Sequence, residues 1–318
     1  MIPPPMPSRA CRPVSFRFQL GDLILARVSL PMQVCAVRLS DGLTPTADPQ
    51  PPIERIPDTT SQGYLFRALP VSGELPRVSR RGDYLRYIPL QYPHAYIDLT
   101  QSFEDYRRKF SARTRSTLQR KLRRYAEHCG GTIPWKTYRE PEEIREFFRH
   151  ARAVSRRSYQ ERLLNAGLPG DEDFIRGAEA LAAQQRLRAY VLFDGERPVS
   201  YLYCPATEGV LDYAYLGYDP DYRRHSVGTV LHRLALEQLF QEGRFRYFDF
   251  AEGEGEHKRL FATHQQRCAN VYFLRRTPRN WLLIHAHHFM DSFSAWLGAT
   301  LDRLGLKARI RQLLRGGR

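Results

Sequence analysis

The sequence predicts an α/β (α+β) fold: a mixed, mostly antiparallel sheet flanked by helices, with an N-terminal accessory β-rich portion and a C-terminal helical tail. Three observations predict it. Between residues 187 and 218 the segments LRAYVLF, PVSYLYCP and VLDYAYLGY alternate with period two, and the turn signals DGER and TEG separate them, which makes an antiparallel meander. Around them, apolar residues recur at helical spacing in 102–131, 141–185 and 226–241. From residue 132 onward the segments therefore run β, α, α, β, β, β, α, β, α, β.

Composition bounds the classes. Of 318 residues, 42% are hydrophobic and 12% aromatic, enough for one large domain or two small ones and too much for a disordered chain. Lys and Arg number 49 against 34 Asp and Glu, a formal charge of +15, so a polyanionic partner is expected: nucleic acid, phospholipid head groups, or a phosphorylated substrate or cofactor. Cys11, Cys35, Cys129, Cys204 and Cys268 are odd in number, widely spaced and form no C-x-x-C pair, which suits reduced thiols in a cytoplasmic protein and not a disulfide framework or zinc ribbon. The start, MIPPPMPSRACRPVSF, lacks the apolar run of a signal peptide, and LILARVSLPMQVCAV is broken by Arg27 and Pro31. No stretch reaches the ~20 apolar residues of a membrane span.

Residues 1–80 hold short alternating runs (FRFQL, LILARV, QVCAVRL) and the proline-rich loop TPTADPQPPIERIPD, an accessory segment. Residues 81–276 form the main domain, with its core at about 132–276. It opens on SFEDYRRKFSARTRSTLQRKLRRYAEHCGG, where Ser102 and Asp105 stand at capping-box spacing and Gly130-Gly131 supply the stop. Tyr106, Phe110, Leu118, Leu122 and Tyr125 form its apolar stripe, leaving Arg113, Arg120, Lys121 and Arg124 on a basic side; one amphipathic helix is expected. Residues 277–318 read as one or two helices, the last basic and amphipathic through Lys307, Arg309, Arg311, Arg315 and Arg318.

The stretch YAYLGYDPDYRRHSVGTVLHRLALEQLF leads a strand through a basic turn into a long helix. Such a helix start offers unpaired backbone N–H groups and the positive end of the helix dipole, a natural seat for phosphate. Neither G-x-x-x-x-G-K-[ST] nor G-x-G-x-x-G is present. What stands there is Arg223-x-x-Ser226-x-Gly228, which resembles the R/Q-x-x-G-x-G/A signature of the GCN5-related N-acetyltransferases (GNAT superfamily), with Ser226 at the first glycine. A serine can take non-helical dihedrals, cap the helix, and turn its hydroxyl to a phosphate oxygen. The resemblance implies a GNAT fold in which Arg223, Arg224, Ser226, Val227, Gly228 and Thr229 hold the pyrophosphate of acetyl-CoA or another acyl-CoA, the donor substrate. The bland alternative is a basic turn leading into a core helix.

The pieces FSARTRSTLQRKLRR, SYQERLLNAGLP, YLGYDP and FDFAEGEGEHKRLFA resemble the bacterial subfamily named after the cellulose-biosynthesis protein CelD, over most of 82–276. That subfamily is found with exopolysaccharide and envelope functions and is related to the FemAB-type peptidyl transferases, which use aminoacyl-tRNA. The implied reaction is N-acyl transfer to an amine or amino sugar of an envelope or exopolysaccharide precursor.

Acyl transfer needs a neutral amine, oxyanion stabilisation and a proton for the leaving thiolate. Carboxylates for the base are Asp249, flanked by aromatics in RYFDF, then Asp212, with Glu252, Glu254 and Glu256 following; Asp249 can equally cap the loop after it. Lys258 can face the donor phosphate or the acceptor, or belong to a plain helix start. Tyr213, Tyr215 and Tyr218 are candidate acids or packing tyrosines. His285, His287 and His288 do not share a helical face, so no metal is expected. Two other functions compete: a FemAB-like aminoacyl-tRNA-dependent transferase gripping tRNA with Arg113 to Arg124, and a non-enzymatic basic scaffold on anionic lipid or nucleic acid. The tail, with Trp281 and Trp296, fits a peripheral contact with an anionic membrane at its inner face; nucleic acid is the less expected partner.

Overall fold

A computed structural model describes residues 9–21, 23–52, 60–158, 167–253 and 255–303. The chain runs through β1 (Arg9–Leu20), β2 (Leu23–Ala36), β3 (Gly63–Pro70), β4 (Val78–Arg81), β5 (Tyr84–Tyr87) and β6 (Gln91–Asp98) to α1 (Phe103–Arg108) and α2 (Ala112–His128). There follow β7 (Trp135–Tyr138), α3 (Pro141–Ser155), α4 (Glu172–Ala183), β8 (Leu187–Asp194), β9 (Arg197–Thr207), β10 (Val210–Asp212) and β11 (Tyr215–Tyr218). The last elements are α5 (Val227–Glu242), β12 (Tyr247–Asp249), α6 (Glu256–Phe261), β13 (His264–Arg275) and α7 (Pro278–Arg303). The expected basic tail beyond 303, Glu254, and most of SYQERLLNAGLP lie outside the described residues.

The backbone divides into two compact units, residues 1–92 with 267–318, and residues 93–266. In the first, β1 and β2 form a long antiparallel hairpin, β3 lies parallel to β2, and β13 pairs antiparallel with both β3 and β5, which carries β4. Helix α7 lays Leu283 and Ile284 on Val14, Phe16, Leu30 and Met32 of the hairpin. His287 sits beside them, its Nδ1 2.7 Å from the Tyr87 hydroxyl and 3.3 Å from an Asp291 carboxylate oxygen.

In the second unit the strand order is β6-β12-β10-β9-β8-β7, with β11 also on β9; β10 and β12 are parallel and the other pairs antiparallel. This is the mixed, mostly antiparallel sheet flanked by helices that the sequence predicts. Both faces are covered. Tyr190, Leu192, Leu202 and Cys204 turn into one core with residues of α1, α2, α5 and α6, while Ala189, Val191, Tyr201 and Tyr203 turn into another with α3 and α4. Strand alternation sorts the residues between two interiors instead of between core and water.

Two elements depart from the sequence reading. The helix expected over 102–131 is two helices: Ser102 caps α1 by accepting from the Asp105 N–H (3.0 Å), and Ser111 restarts the helix by accepting from the Thr114 N–H (3.2 Å). The apolar stripe keeps its spacing across the break, so periodicity alone hides it. The third strand of the meander is likewise divided at Tyr213 and Ala214 into β10 and β11, and the division shapes the site.

Candidate active site

Strand β10 runs parallel to β12 in the register Val210–Tyr247, Leu211–Phe248, Asp212–Asp249. The Tyr213 N–H still donates to the Asp249 carbonyl (2.8 Å), but β11 pairs with β9 alone among the described strands. The two neighbouring strands therefore part after Asp212 and Asp249. The Asp219 N–H bonds the Val199 carbonyl (2.8 Å) and the Gly217 carbonyl accepts from the Ser200 hydroxyl (2.9 Å), so these residues face β9. By alternation the N–H groups of Leu216 and Tyr218 turn to the parted side. Gly217 lets β11 lie this close to β9, because a Cβ there would collide with the Tyr201 ring.

Beyond β11 a short 3-10 helix spans Pro220–His225. Asp219 fixes it: its buried carboxylate accepts from the Asp221 N–H (3.2 Å) and meets Arg157 at 2.9 Å and Arg197 at 2.8 Å. Ser226 then takes φ 54° and ψ 37°, the left-handed conformation that favours glycine, and α5 begins at Val227. The serine adopts the non-helical dihedrals expected of it, but its side chain makes no capping hydrogen bond, which leaves the hydroxyl for other use. Val227 and Gly228 have no preceding helical carbonyl to bond, so their N–H groups point out of the helix start. Arg223 and Arg224 are exposed and form no ion pair among the described residues. A Cβ on Gly228 would meet Leu216 and Tyr218 at 3.7 Å, so alanine fits and anything larger fills the space between α5 and β11. Thr229 is half-exposed, its N–H on the Ser226 carbonyl (2.9 Å). The arrangement fits a diphosphate on the helix amides, with two unpaired guanidinium groups beside it.

At the other side of the parting, Asp249 is buried and its Oδ1 holds two groups: His94 Nε2 at 2.5 Å and the Ala251 N–H at 2.6 Å. The second bond is the loop cap that the sequence allows for; the first pairs Asp249 with a histidine that sequence reading misses. Lys258 donates to the Glu252 carbonyl (2.7 Å). Burial lowers its pKa, and the charges of Asp249 and Glu252 oppose that. Asp212 is exposed at the end of β10. Tyr215 stands apart from these groups in its packing, edge-on to Phe174 (6.0 Å) and against Tyr203 (6.1 Å).

Between the carboxylate and α5 lies a ring cluster of Tyr213, His232, Phe248, Phe250, His257 and Phe261, with the two imidazole centroids 4.5 Å apart. Among the described residues neither ring nitrogen of His232 has a hydrogen-bond partner, nor has Nε2 of His257. Burial pushes the His232 pKa well below its ordinary value, with the neighbouring His257 adding to it, and burial first, then Lys121 and Lys258, pull His257 down to about 4. Both are neutral at pH 7. Burial also raises the Tyr213 pKa.

The distance in sequence explains what was missed: His94 is 155 residues from Asp249 and reaches it through the β6–β12 pairing, in which Asp249 faces Tyr96. Asp219 did carry a signal, an Asp before Pro at a helix start. The histidines discounted as metal ligands have other contacts: His287 bonds Tyr87, and His285 packs on Trp281 at 4.3 Å.

Residues 112–259 match the family model described as Acetyltransferase (GNAT) domain. No curated protein matches the chain significantly. Among solved structures, FemX is similar over 87% of this chain and 91% of its own at 8% identity and TM-score 0.50. The C-terminal domain (DUF2156) of a putative lysylphosphatidylglycerol synthetase from Agrobacterium fabrum is similar over 73% and 72%, at 13% identity and TM-score 0.47. L-PGS from Bacillus licheniformis is similar over 71% and 72%, at 14% identity and TM-score 0.44. At 8% identity the likeness to FemX concerns the fold alone; the family match covers the stretch that holds the parted strands and the helix start. Residues 112–259, just under half of the chain, carry the match to a GNAT-type acetyltransferase domain, and that match supports acyl transfer as the chemistry of this stretch.

Proposed function

We propose that the protein moves an acetyl or other acyl group from an acyl-CoA thioester to an amine of an envelope or exopolysaccharide precursor. One observation carries the donor: the chain parts from β12 between β10 and β11 and then enters an uncapped helix start, with Ser226 left-handed and Arg223 and Arg224 unpaired among the described residues. In this reading Arg223, Arg224, Ser226 and the N–H groups of Val227 and Gly228 receive the diphosphate, with the Thr229 side chain beside it. The N–H groups of Leu216 and Tyr218 face the thioester; one such donor aimed at the developing oxyanion is worth about 3 kcal/mol. The amine nitrogen attacks the carbonyl carbon, the C–N bond forms and the C–S bond breaks.

Asp249, held by His94 and the Ala251 N–H, takes the amine proton, with Asp212 as a second carboxylate at the open end. Tyr215, on the strand that lines the parting, returns a proton to the thiolate, and Lys258 steadies the negative charge between them. The envelope acceptor rests on the CelD-like sequence pieces. A second reading is favoured by the exposed cations Arg113, Arg120 and Arg124 on α2, which suit tRNA phosphates and an aminoacyl donor. The two separate in one experiment. Purified protein is given acetyl-CoA with a panel of amino sugars while free thiol is followed, and in parallel labelled aminoacyl-tRNA with the same acceptors. Thiol release that needs the acceptor supports acyl-CoA transfer; label moving from tRNA with no thiol release overturns it.

A further inference from the structure

Three arginines from three helices line one hollow in the unit of residues 93–266. Arg107 comes from the last turn of α1, Arg115 from the first turn of α2 and Arg233 from the second turn of α5. The hollow has a volume of about 240 Å³, well above the roughly 10–15 Å³ that a single water needs, so it has room for a polyatomic ligand. Phe110 and Leu118 give it apolar wall. Ser116 and Gln119, next to Arg115 and one turn on from it, add a hydroxyl and an amide.

Arg233 is the informative member. It is only 8% exposed, and a guanidinium taken out of water carries a desolvation cost that an apolar side chain of similar volume would not. Burial lowers its pKa, Glu237 opposes that, and the charge of Arg107 lowers it further, so the two cations lie within each other's field. Each of the three is held by the protein: Arg233 by Glu237 at 3.0 Å and over the Phe103 ring at 4.4 Å, Arg107 by Glu104 at 3.5 Å. Arg115 donates through Nη1 to the Phe110 carbonyl at 2.6 Å. These contacts orient the guanidinium groups before any ligand arrives, and a guanidinium has five N–H donors, more than such contacts use.

Charge and donor geometry choose the ligand. Among the described residues the three cations pair with two carboxylates, Glu104 and Glu237, and no carboxylate lines the hollow. Like charges gathered this way repel unless an anion comes between them. A carboxylate has two oxygens in one plane and suits one guanidinium fork. A phosphodiester keeps one charge and two free oxygens. A phosphomonoester carries close to two charges and three acceptor oxygens, which matches three cations from three directions. The hollow is distinct from the helix start: Arg233 stands about 9 Å along α5 from Val227, and none of residues 223–229 lines it.

We propose that Arg107, Arg115 and Arg233 form a second anion site, which takes the terminal phosphate of a phosphomonoester. It stands whether or not the start of α5 holds a diphosphate. The phosphate has two sources, the 3′-phosphate of a coenzyme A donor and a separate phosphorylated molecule, and the test separates them. Hydrogen-exchange mass spectrometry of the full chain is run with inorganic phosphate, with coenzyme A and with 3′-dephospho-coenzyme A, against chloride at equal ionic strength. Peptides spanning 103–119 and 220–230 are read separately. Inorganic phosphate should slow exchange in 103–119 severalfold. Coenzyme A slowing that stretch while the dephospho form does not assigns the phosphate to the donor; slowing by inorganic phosphate and by neither coenzyme assigns it to a separate molecule. The variant Arg107→Gln/Arg115→Gln, changed at exposed positions, should lose at least tenfold in phosphate affinity. Arg233→Met, which keeps the buried bulk, should lose as much and serves if the first does not fold. No slowing in 103–119 with any of the three, equal slowing by chloride, or equal binding by the folded variants overturns the proposal. A response to coenzyme A confined to 220–230, with none to inorganic phosphate in 103–119, overturns this site and leaves the diphosphate reading standing.

Discussion

His232→Phe should keep the protein's stability at neutral pH and reduce its sensitivity to mild acid. In the wild type the His232 ring is fully buried, makes no hydrogen bond through either nitrogen among the described residues, and lies 4.5 Å from the His257 ring. Burial holds both pKa values below 6.5, His257 at about 4. Below pH 6.5 the unfolded chain therefore binds protons that the folded one refuses, and stability is lost as pH falls through that window. A histidine kept from protonating costs at most about 1.4 kcal/mol per pH unit below 6.5, or about 2 kcal/mol by pH 5, so removing His232 spares at most about 2 kcal/mol of the acid sensitivity.

At 2–4 °C per kcal/mol, the Tm difference between the two proteins should move in favour of the variant between pH 7 and pH 5, by up to about 4–8 °C. All other titrating groups are common to both and cancel. At pH 7 the variant should be level or slightly more stable, because removing an unbonded buried polar group recovers about 1–3 kcal/mol against a similar packing strain. Thermal melts by circular dichroism across this range decide it. Parallel pH curves would refute the burial argument, and a loss above about 3 kcal/mol at pH 7 would show that the ring nitrogens are bonded.

Asp249→Asn should lower kcat by about 10²- to 10⁴-fold while CoA affinity stays within about twofold, read by thiol release and calorimetry; a comparable loss in affinity would place Asp249 in binding instead. Ser226→Gly relieves a left-handed residue worth about 1–2 kcal/mol and adds about 0.5–1 kcal/mol of chain entropy, so a Tm unchanged or raised by a few degrees is expected, with CoA binding retained. Asp219→Ala leaves Arg157 and Arg197 without their shared carboxylate, both partly solvated, and should cost about 2–3 kcal/mol and weaken CoA binding as the turn loosens; denaturant melts measure the first and calorimetry the second.

Legibility followed sequence distance. The meander, α5 and the helix start were readable because each is written within about ten residues, in period and turn chemistry. The left-handed Ser226 was readable only as the place where a glycine pattern is broken. The parting of the strands was hidden, since VLDYAYLGY reads as one continuous strand-forming run through Tyr213 and Ala214. Partners from far apart left no trace in one sequence: His94 for Asp249, and β13 for β3, which close a unit from the two ends of the chain. His232 sits in LHRLALEQLF, where apolar residues surround the helix, so no period tells which side the imidazole takes. Helix α7 raised the opposite difficulty: apolar residues on both faces cancel the amphipathic signal that would have marked the outer one.

The central claim is that the parted strands and the start of α5 hold the diphosphate of coenzyme A, and titration of CoA while Tm is followed tests it most directly. The account predicts a rise corresponding to about 2.7 kcal/mol at a hundredfold excess over Kd for the wild type. It predicts little or none for Gly228→Val, whose side chain would stand between α5 and the side chains of Leu216 and Tyr218. A wild type unmoved by millimolar CoA, or a folded Gly228→Val that responds equally, would contradict it.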